Sequence, residues 1–256
     1  MAIQPAPGWM GISALNETGK NWMGEARVVV RLPFSGWVSE MGNQSKESVI
    51  ELGYNENFDS NWLIDWMRAQ PRDVGVVINV TSQMASRATN MPCLHFPADL
   101  NFPYIRLNIN PGCFVSGRGG NGGGSWSNST TGYPGGTGIH NLIGARLQIN
   151  NQGEIAGGGG GGMGSGSGDM YGPGGGGRPM GGGVLPADMW NPRAGHRVNG
   201  SKISFQGGRG GNFGEAGIQA WHSNLGNYGT RAAAGAAITG QGPHYINRGA
   251  IYGAAF

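Results

Sequence analysis

The sequence predicts two unlike parts: an α+β unit over residues 1–116, then over 117–256 an irregular domain of packed polyglycine II helices with few α-helices or β-strands. Three observations carry this. Of the 53 glycines, 44 lie after Ser116. Gly157 to Gly162 is an unbroken hexaglycine. And apolar residues, among them Ile139, Leu147, Ile155, Ile203, Ile218, Ile238 and Ile251, keep returning inside the glycine.

Glycine loses the most backbone freedom on ordering, so a fold that uses it this heavily needs backbones closer together than a Cβ allows. Collagen requires glycine at every third position, and the hexaglycine and the stretch Arg146 to Gln152 break that register. A flexible linker stays solvated and has no use for the apolar insertions. Polyproline II geometry remains: three residues per turn, about 3.1 Å per residue, every N–H and C=O pointing sideways. Several such rods side by side can satisfy one another's backbones, and only glycine lets them approach.

In the first part, Trp9 to Arg27 has a loose helical spacing. Phe58 to Gln70 predicts a better helix, capped by Asp59 or Ser60, with Trp62, Trp66 and Ala69 on one face and Pro71 ending it. Val74 to Val80 predicts a buried strand, and Tyr104 to Ile109 an alternating one. Trp9, Trp22, Trp37, Trp62 and Trp66 crowd the first 66 residues, with Met10, Met23, Met41 and Met67 near them. Any one of these suits a core. As a set they suggest a docking face, since tryptophan is enriched at interface hot spots and methionine at adaptable surfaces.

Five richer segments interrupt the glycine: Ser125 to Pro134, Met163 to Tyr171, Leu185 to Arg197, Gln219 to Tyr228 and Pro243 to Asn247. Their vocabulary of Trp, Tyr, Ser, Asn and Gly is that of antibody loops. The candidate binding residues are Trp126, Tyr133, Tyr171, Met189, Trp190, Arg193, His196, Trp221, His222, Tyr228, His244 and Tyr245. To act together they must reach one end, with Gly135 to Ile149 running away from it, Asn150 to Gly153 turning, and Glu154 to Gly162 running back.

The formal charge is +3, with about +5 on the glycine-rich part. Met1 to Pro5 has neither the basic nor the apolar stretch of a signal peptide. No apolar run approaches membrane-spanning length. Cys93 and Cys113 are too few for a disulfide framework and are expected as free thiols. The histidines (95, 140, 196, 222 and 244) show no pair at metal-ligand spacing, and Glu154, Asp169, Asp188 and Glu215 are scattered. No cofactor, metal or enzymatic activity is expected. Arg118 and Arg209 in Arg-Gly-Gly settings admit an RNA-binding alternative, although such segments carry more arginine. A purely structural glycine sandwich is a further alternative.

The motifs Pro7 to Gly11, Asn16 to Met23, Val115 to Gly123 and Ile149 to Gly162 closely resemble those of the distal tail-fibre adhesins of T-even-type bacteriophages. The resemblance covers nearly the whole chain. It implies a virion protein, made in the host cytoplasm, whose N-terminal domain caps the trimeric long tail fibre as a single copy. It also implies a polyglycine II sandwich with loops at one tip that recognise a bacterial outer-membrane protein or lipopolysaccharide. Neither nucleic acid nor membrane insertion is part of that picture. On this reading Trp9, Met10, Trp22, Met23 and Trp37 bind the fibre. A tail-fibre assembly chaperone, encoded at the corresponding position in other phages, is an alternative that lacks the glycine architecture.

Overall fold

The computed structural model describes all residues except 1–2, 4–9, 31, 33–34, 37–40, 42–45, 125–130, 168–169, 200–203 and 256; at 10–13, 166–167, 170–171, 198 and 205 it describes the backbone alone. Two helices come first, α1 (Met10–Thr18) and α2 (Met23–Val29). The single helical span expected over Trp9 to Arg27 is broken at Gly19. Its φ of +68° and its N–H bond to the Leu15 carbonyl at 2.7 Å end α1 with a left-handed cap. Ala14, Ala26, Val30 and Met41 form a small core there with Ile3.

The chain then winds. β1 (Ser48–Leu52) and β2 (Asn55–Phe58) are followed by α3 (Ser60–Arg68). Next come β3 (Val76–Val80), β4 (Met84–Ser86) and β5 (Leu94–Phe96), then β6 (Ile105–Ile109) and β7 (Phe114–Ser116). After residues 117–138 the chain returns as β8 (Ile139–Asn141), β9 (Leu147–Asn151) and β10 (Glu154–Ala156). Residues 157–237 hold six short strands: β11 (Ser165–Ser167), β12 (Met170–Gly172), β13 (Arg197–Asn199), β14 (Ser204–Gln206), β15 (Ala220–His222) and β16 (Gly226–Tyr228). The chain closes with β17 (Ile238–Gly240), β18 (His244–Asn247) and β19 (Ala250–Tyr252).

These elements build a parallel β-solenoid. One face stacks β1, β3, β6, β9 and β18; the second stacks β2, β4, β7, β10 and β19; the third stacks β5, β8 and β17, with α3 packed against β5. Neighbours within each face are parallel. Some columns of side chains repeat a residue type from coil to coil. Ile50, Ile78, Leu107, Ile149 and Tyr245 are in register inside the first face. Beside them Asn79, Asn108 and Asn150 form an amide ladder with Nδ2–Oδ1 distances of 2.8 and 3.3 Å. No single coil can bury its apolar side alone; stacking makes one continuous core.

Helices are few and strands short. Asp59 does cap α3, accepting from the Asn61 N–H at 3.0 Å. Its buried side is Leu63, Ile64 and Met67, while Trp62 is 54% exposed and meets Phe58 edge-on. Both five-stranded faces take strands from either side of residue 116, so the division expected there falls inside one core. The glycine-rich part is two excursions from the solenoid, at the same corner of successive coils.

In the excursions the backbone follows a three-residue rhythm. Gly158 and Gly161 donate to Gly136 and Tyr133; Gly159 and Gly162 to Arg178 and Gly175; Gly160 and Met163 to Glu215 and Ile218, all at 2.7–3.1 Å. Carbonyls of the same segment accept from Gly120 and Gly123, from Gly208, Gly211 and Gly214, and from Gly235. The hexaglycine is thus surrounded by six other segments. A Cβ on any of its residues would overlap a neighbouring carbonyl, again in pairs three apart: Gly235 and Ala232, Arg118 and Asn121, Gly211 and Gly208. This is why side chains are absent there.

Candidate functional site

Hydrogen-bond order gives each segment a direction. Residues 157–163 leave the solenoid from β10, and 117–123 and 215–218 run parallel to them. Residues 133–136, 174–178, 208–214 and 232–235 run back. Residues 179–183 also run outward, beside 119–122, and turn back at 183–185, level with Gly122 and Gly175. The chain therefore turns at or near the far end five times: between Gly124 and Thr131, through the hairpin β11–β12, at 183–185, through β13–β14, and through β15–β16. Strands β13 to β16 form one antiparallel sheet, and β11–β12 packs on it.

Trp221 lies in β15 opposite Gln206 and Asn227, partly buried, with the Arg197 guanidinium 5.5 Å from its ring. His222 and Tyr228 meet edge-on at 6.3 Å across the hairpin. His222 Nδ1 accepts from the Asn224 N–H at 3.0 Å, ordering a turn whose Gly226 has φ +70° and whose apex, Leu225, is 70% exposed. At the hairpin base Gly229, with φ +83°, leaves room for the buried Met163 thioether. Tyr133 is 62% exposed where 133–136 starts back. The backbone of Tyr171 in β12, and exposed Arg193 and His196 before β13, belong to the same end. Trp126 lies outside the described residues.

Four expected members of this group are elsewhere. Met189 is buried at the solenoid end with Phe114, Phe213, Ala85 and Ala156. Trp190 stands edge-on to Phe114 at 5.8 Å in the same place. The cause is Arg178. Its guanidinium lies 3.7 Å over Phe213 and donates to the Met189 carbonyl and Asn212 Oδ1, tying Met189 and Trp190 to the base. His244 and Tyr245 are in β18, on the solenoid itself, with Tyr245 packed against the core. The outward and returning directions expected around Asn150 to Gly153 hold, but the connection between them is the whole coil β8–β9–β10. The signal missed in the sequence is Leu225, an apolar residue beside a glycine-containing turn.

At the N-terminus Trp22 is 67% exposed, at the entry to α2. Met23 packs on the small core. Trp9, Trp37 and the Met10 side chain lie outside the described residues. Arg118 is held by the solenoid, donating to Glu56 O and Asn57 Oδ1, so this Arg-Gly-Gly motif does not present its arginine freely. Among the described residues no three His, Cys, Asp or Glu converge as a metal site. Cys93 is fully buried, which pushes its thiol up to about 12 and keeps it protonated. No helix among the described residues is long and apolar enough to cross a membrane.

The profile of the family "Phage tail fibre adhesin Gp38" matches residues 47–256, and that of its N-terminal domain matches residues 1–42. The receptor-recognizing protein gp38 of Salmonella phage S16 is 40% identical over 266 aligned residues, covering 99% of both chains. The crystal structure of the gp37–gp38 adhesin tip complex of the bacteriophage S16 long tail fibre contains a chain of the same fold, with TM-score 0.71, 37% identity and full coverage of both chains. The chain described here belongs to the phage tail fibre adhesin Gp38 family.

Proposed function

We propose that this chain is the receptor-recognising adhesin at the tip of a phage long tail fibre, and that the far end of its glycine excursions is the receptor-binding surface. The observation that carries the reading is the alternation of direction: every outward segment is followed by a turn at one end, and Tyr133, Tyr171, Trp221, His222 and Tyr228 fall in or beside those turns. Nothing in this requires chemistry. A stiff scaffold that presents aromatic and hydrogen-bonding side chains at low entropic cost is a binding device.

The scaffold itself we read as packed polyglycine II rods. The three-residue exchange of partners around Gly157 to Met163 supports it, since that period is the polyproline II period. The unit ending near residue 42, with its exposed Trp22, is assigned to the fibre, one adhesin per fibre trimer. Its partner is the counterpart of the gp37 found with gp38 in the S16 complex. The solenoid, built from both sides of residue 116, then joins attachment at the N-terminal unit to recognition at the far end of the excursions. The receptor is a host outer-membrane protein, and the protein acts as part of the virion. Weak binding at each tip suffices, because several fibres engage together.

The test is capture. The full chain should retain a host outer-membrane protein, and Trp221→Ala with Tyr228→Ala should lose it while unfolding at the same temperature. Undiminished capture by the double variant would overturn the assignment.

A further inference from the structure

From the charge distribution of the rods we infer that the partner surface is acidic: carboxylate-bearing extracellular loops of an outer-membrane protein, met by arginines that lie around the outward half of the rods and in β13. The inference rests on the tip assignment and adds the chemistry of what the tip meets.

Between Asn191 and Ala237 the sequence holds five cationic side chains, Arg193, Arg197, Lys202, Arg209 and Arg231, against a single carboxylate, Glu215. They are separated in space. Arg193 sits beside Gly176, its backbone N–H donating to that carbonyl at 3.0 Å. Arg209 adjoins Gly208, whose amide reaches Met163 at the outward end of the hexaglycine rod. Arg231 adjoins Ala232, level with Gly160. Arg197 opens β13. All four are exposed, and among the described residues none has a carboxylate within ion-pair distance. Two carboxylates among the described residues, Glu215 and Asp188, face the other way. Glu215 lies in the return turn, its Oε2 accepting from the Asn212 N–H, next to Gly214 at the end of the solenoid. Asp188 accepts from Trp190 and Asn191 N–H groups in the loop held at the base by Arg178.

A predominantly cationic surface, on rods made largely of glycine, focuses field toward an incoming anionic partner and raises its association rate. Guanidinium groups pair bidentately with carboxylate and phosphate alike. Exposed Leu225 and the Trp221 ring under Arg197 favour a protein surface over a sugar phosphate, because both suit apolar contact.

The test uses the full chain, immobilised, with outer-membrane vesicles of a susceptible strain as the probe. Arg193→Gln, Arg209→Gln and Arg231→Gln are combined; Arg197 is left, because it rests on Trp221. Wild-type association should slow steeply between roughly 50 and 300 mM salt. The triple variant should associate about tenfold more slowly at the low end and lose most of the salt dependence, with unfolding unchanged. A triple variant with the wild-type rate and salt slope overturns the inference. If Trp221→Ala still abolishes binding in that case, the tip assignment survives; if it too binds normally, the tip assignment falls as well. Equal salt-dependent binding to protein-free liposomes of the strain's lipopolysaccharide would assign the arginines to phosphate and overturn the acidic-loop partner.

Discussion

The side-chain amide of Asn141 donates to the backbone carbonyl of Gln241 at 2.7 Å, across 100 residues of sequence. The same amide reaches Gly144 O, and its oxygen accepts from Ile143 N–H. Asn151 does the equivalent at the next corner, donating to Arg248 and Ala250 carbonyls and accepting from Gly153 N–H. Each buried asparagine thus locks its own turn and clips the last coil to the one before it, over the long excursion between them.

Asn151→Ala removes three hydrogen bonds in a buried site. Stranded donors and acceptors cost roughly 1–3 kcal/mol each when water cannot reach them. The variant should lose about 2–4 kcal/mol in chemical unfolding. Asn224→Ala, at an exposed turn, should change stability by less than about 0.5 kcal/mol.

Gly159→Val sets a β-branched side chain against the Gly211 carbonyl in the middle of the rods. Overpacking of this kind costs about 3 kcal/mol or more, because the obstacle is backbone. Gly53→Ala is the matched control: a Cβ there meets nothing within 4 Å and φ is not positive. It should be neutral or stabilising by about 0.5 kcal/mol. Thermal unfolding of both variants measures the difference.

His95 and His140 stack at 5.0 Å on neighbouring coils, and His140 Nδ1 meets Thr239 Oγ1 at 2.8 Å. Burial first, then the His140 ring, holds His95 below the ordinary 6.5, with Asp99 opposing them. The folded chain then binds fewer protons here than the unfolded one, so stability falls as pH drops below about 6.5. His95→Gln should flatten that part of the pH–stability curve. An unchanged slope would remove the pair as its source.

Trp22→Ala should cost about 2–4 kcal/mol of fibre binding, the range of a hot-spot tryptophan. Its side chain is mostly solvent-exposed, so the isolated chain should unfold as before. Co-purification with the fibre subunit reads the loss.

How much of this was legible in the sequence depends on which residues carried the signal. Close-packed glycine rods follow from the hexaglycine and from apolar residues that a linker would not keep. The cap at Asp59 and strands β3 and β6 follow from local pattern. The solenoid does not, because its repeat is hidden. Asn79 and Asn108 are 29 residues apart, Asn108 and Asn150 42, and Asn151 meets Arg248 97 residues on. Excursions of different length stretch a constant coil, so no period survives. Aromatic composition found the turns at the far end through Trp221 and Tyr228. It could not separate them from Trp190, whose place is set by Arg178 stacking on Phe213, a contact between distant residues.

Host specificity tests the central claim most directly. Residues 219–230, which carry β15, β16 and their turn, are replaced by those of a relative with a different host, and plaque formation is scored on both hosts. The tip account predicts that the chimaera gains the relative's host while unfolding and fibre attachment stay as in the parent. The same exchange of residues 188–190 at the rod base should leave host range unchanged. A 219–230 chimaera that keeps the parent's host range, or a 188–190 exchange that changes it, would contradict the account.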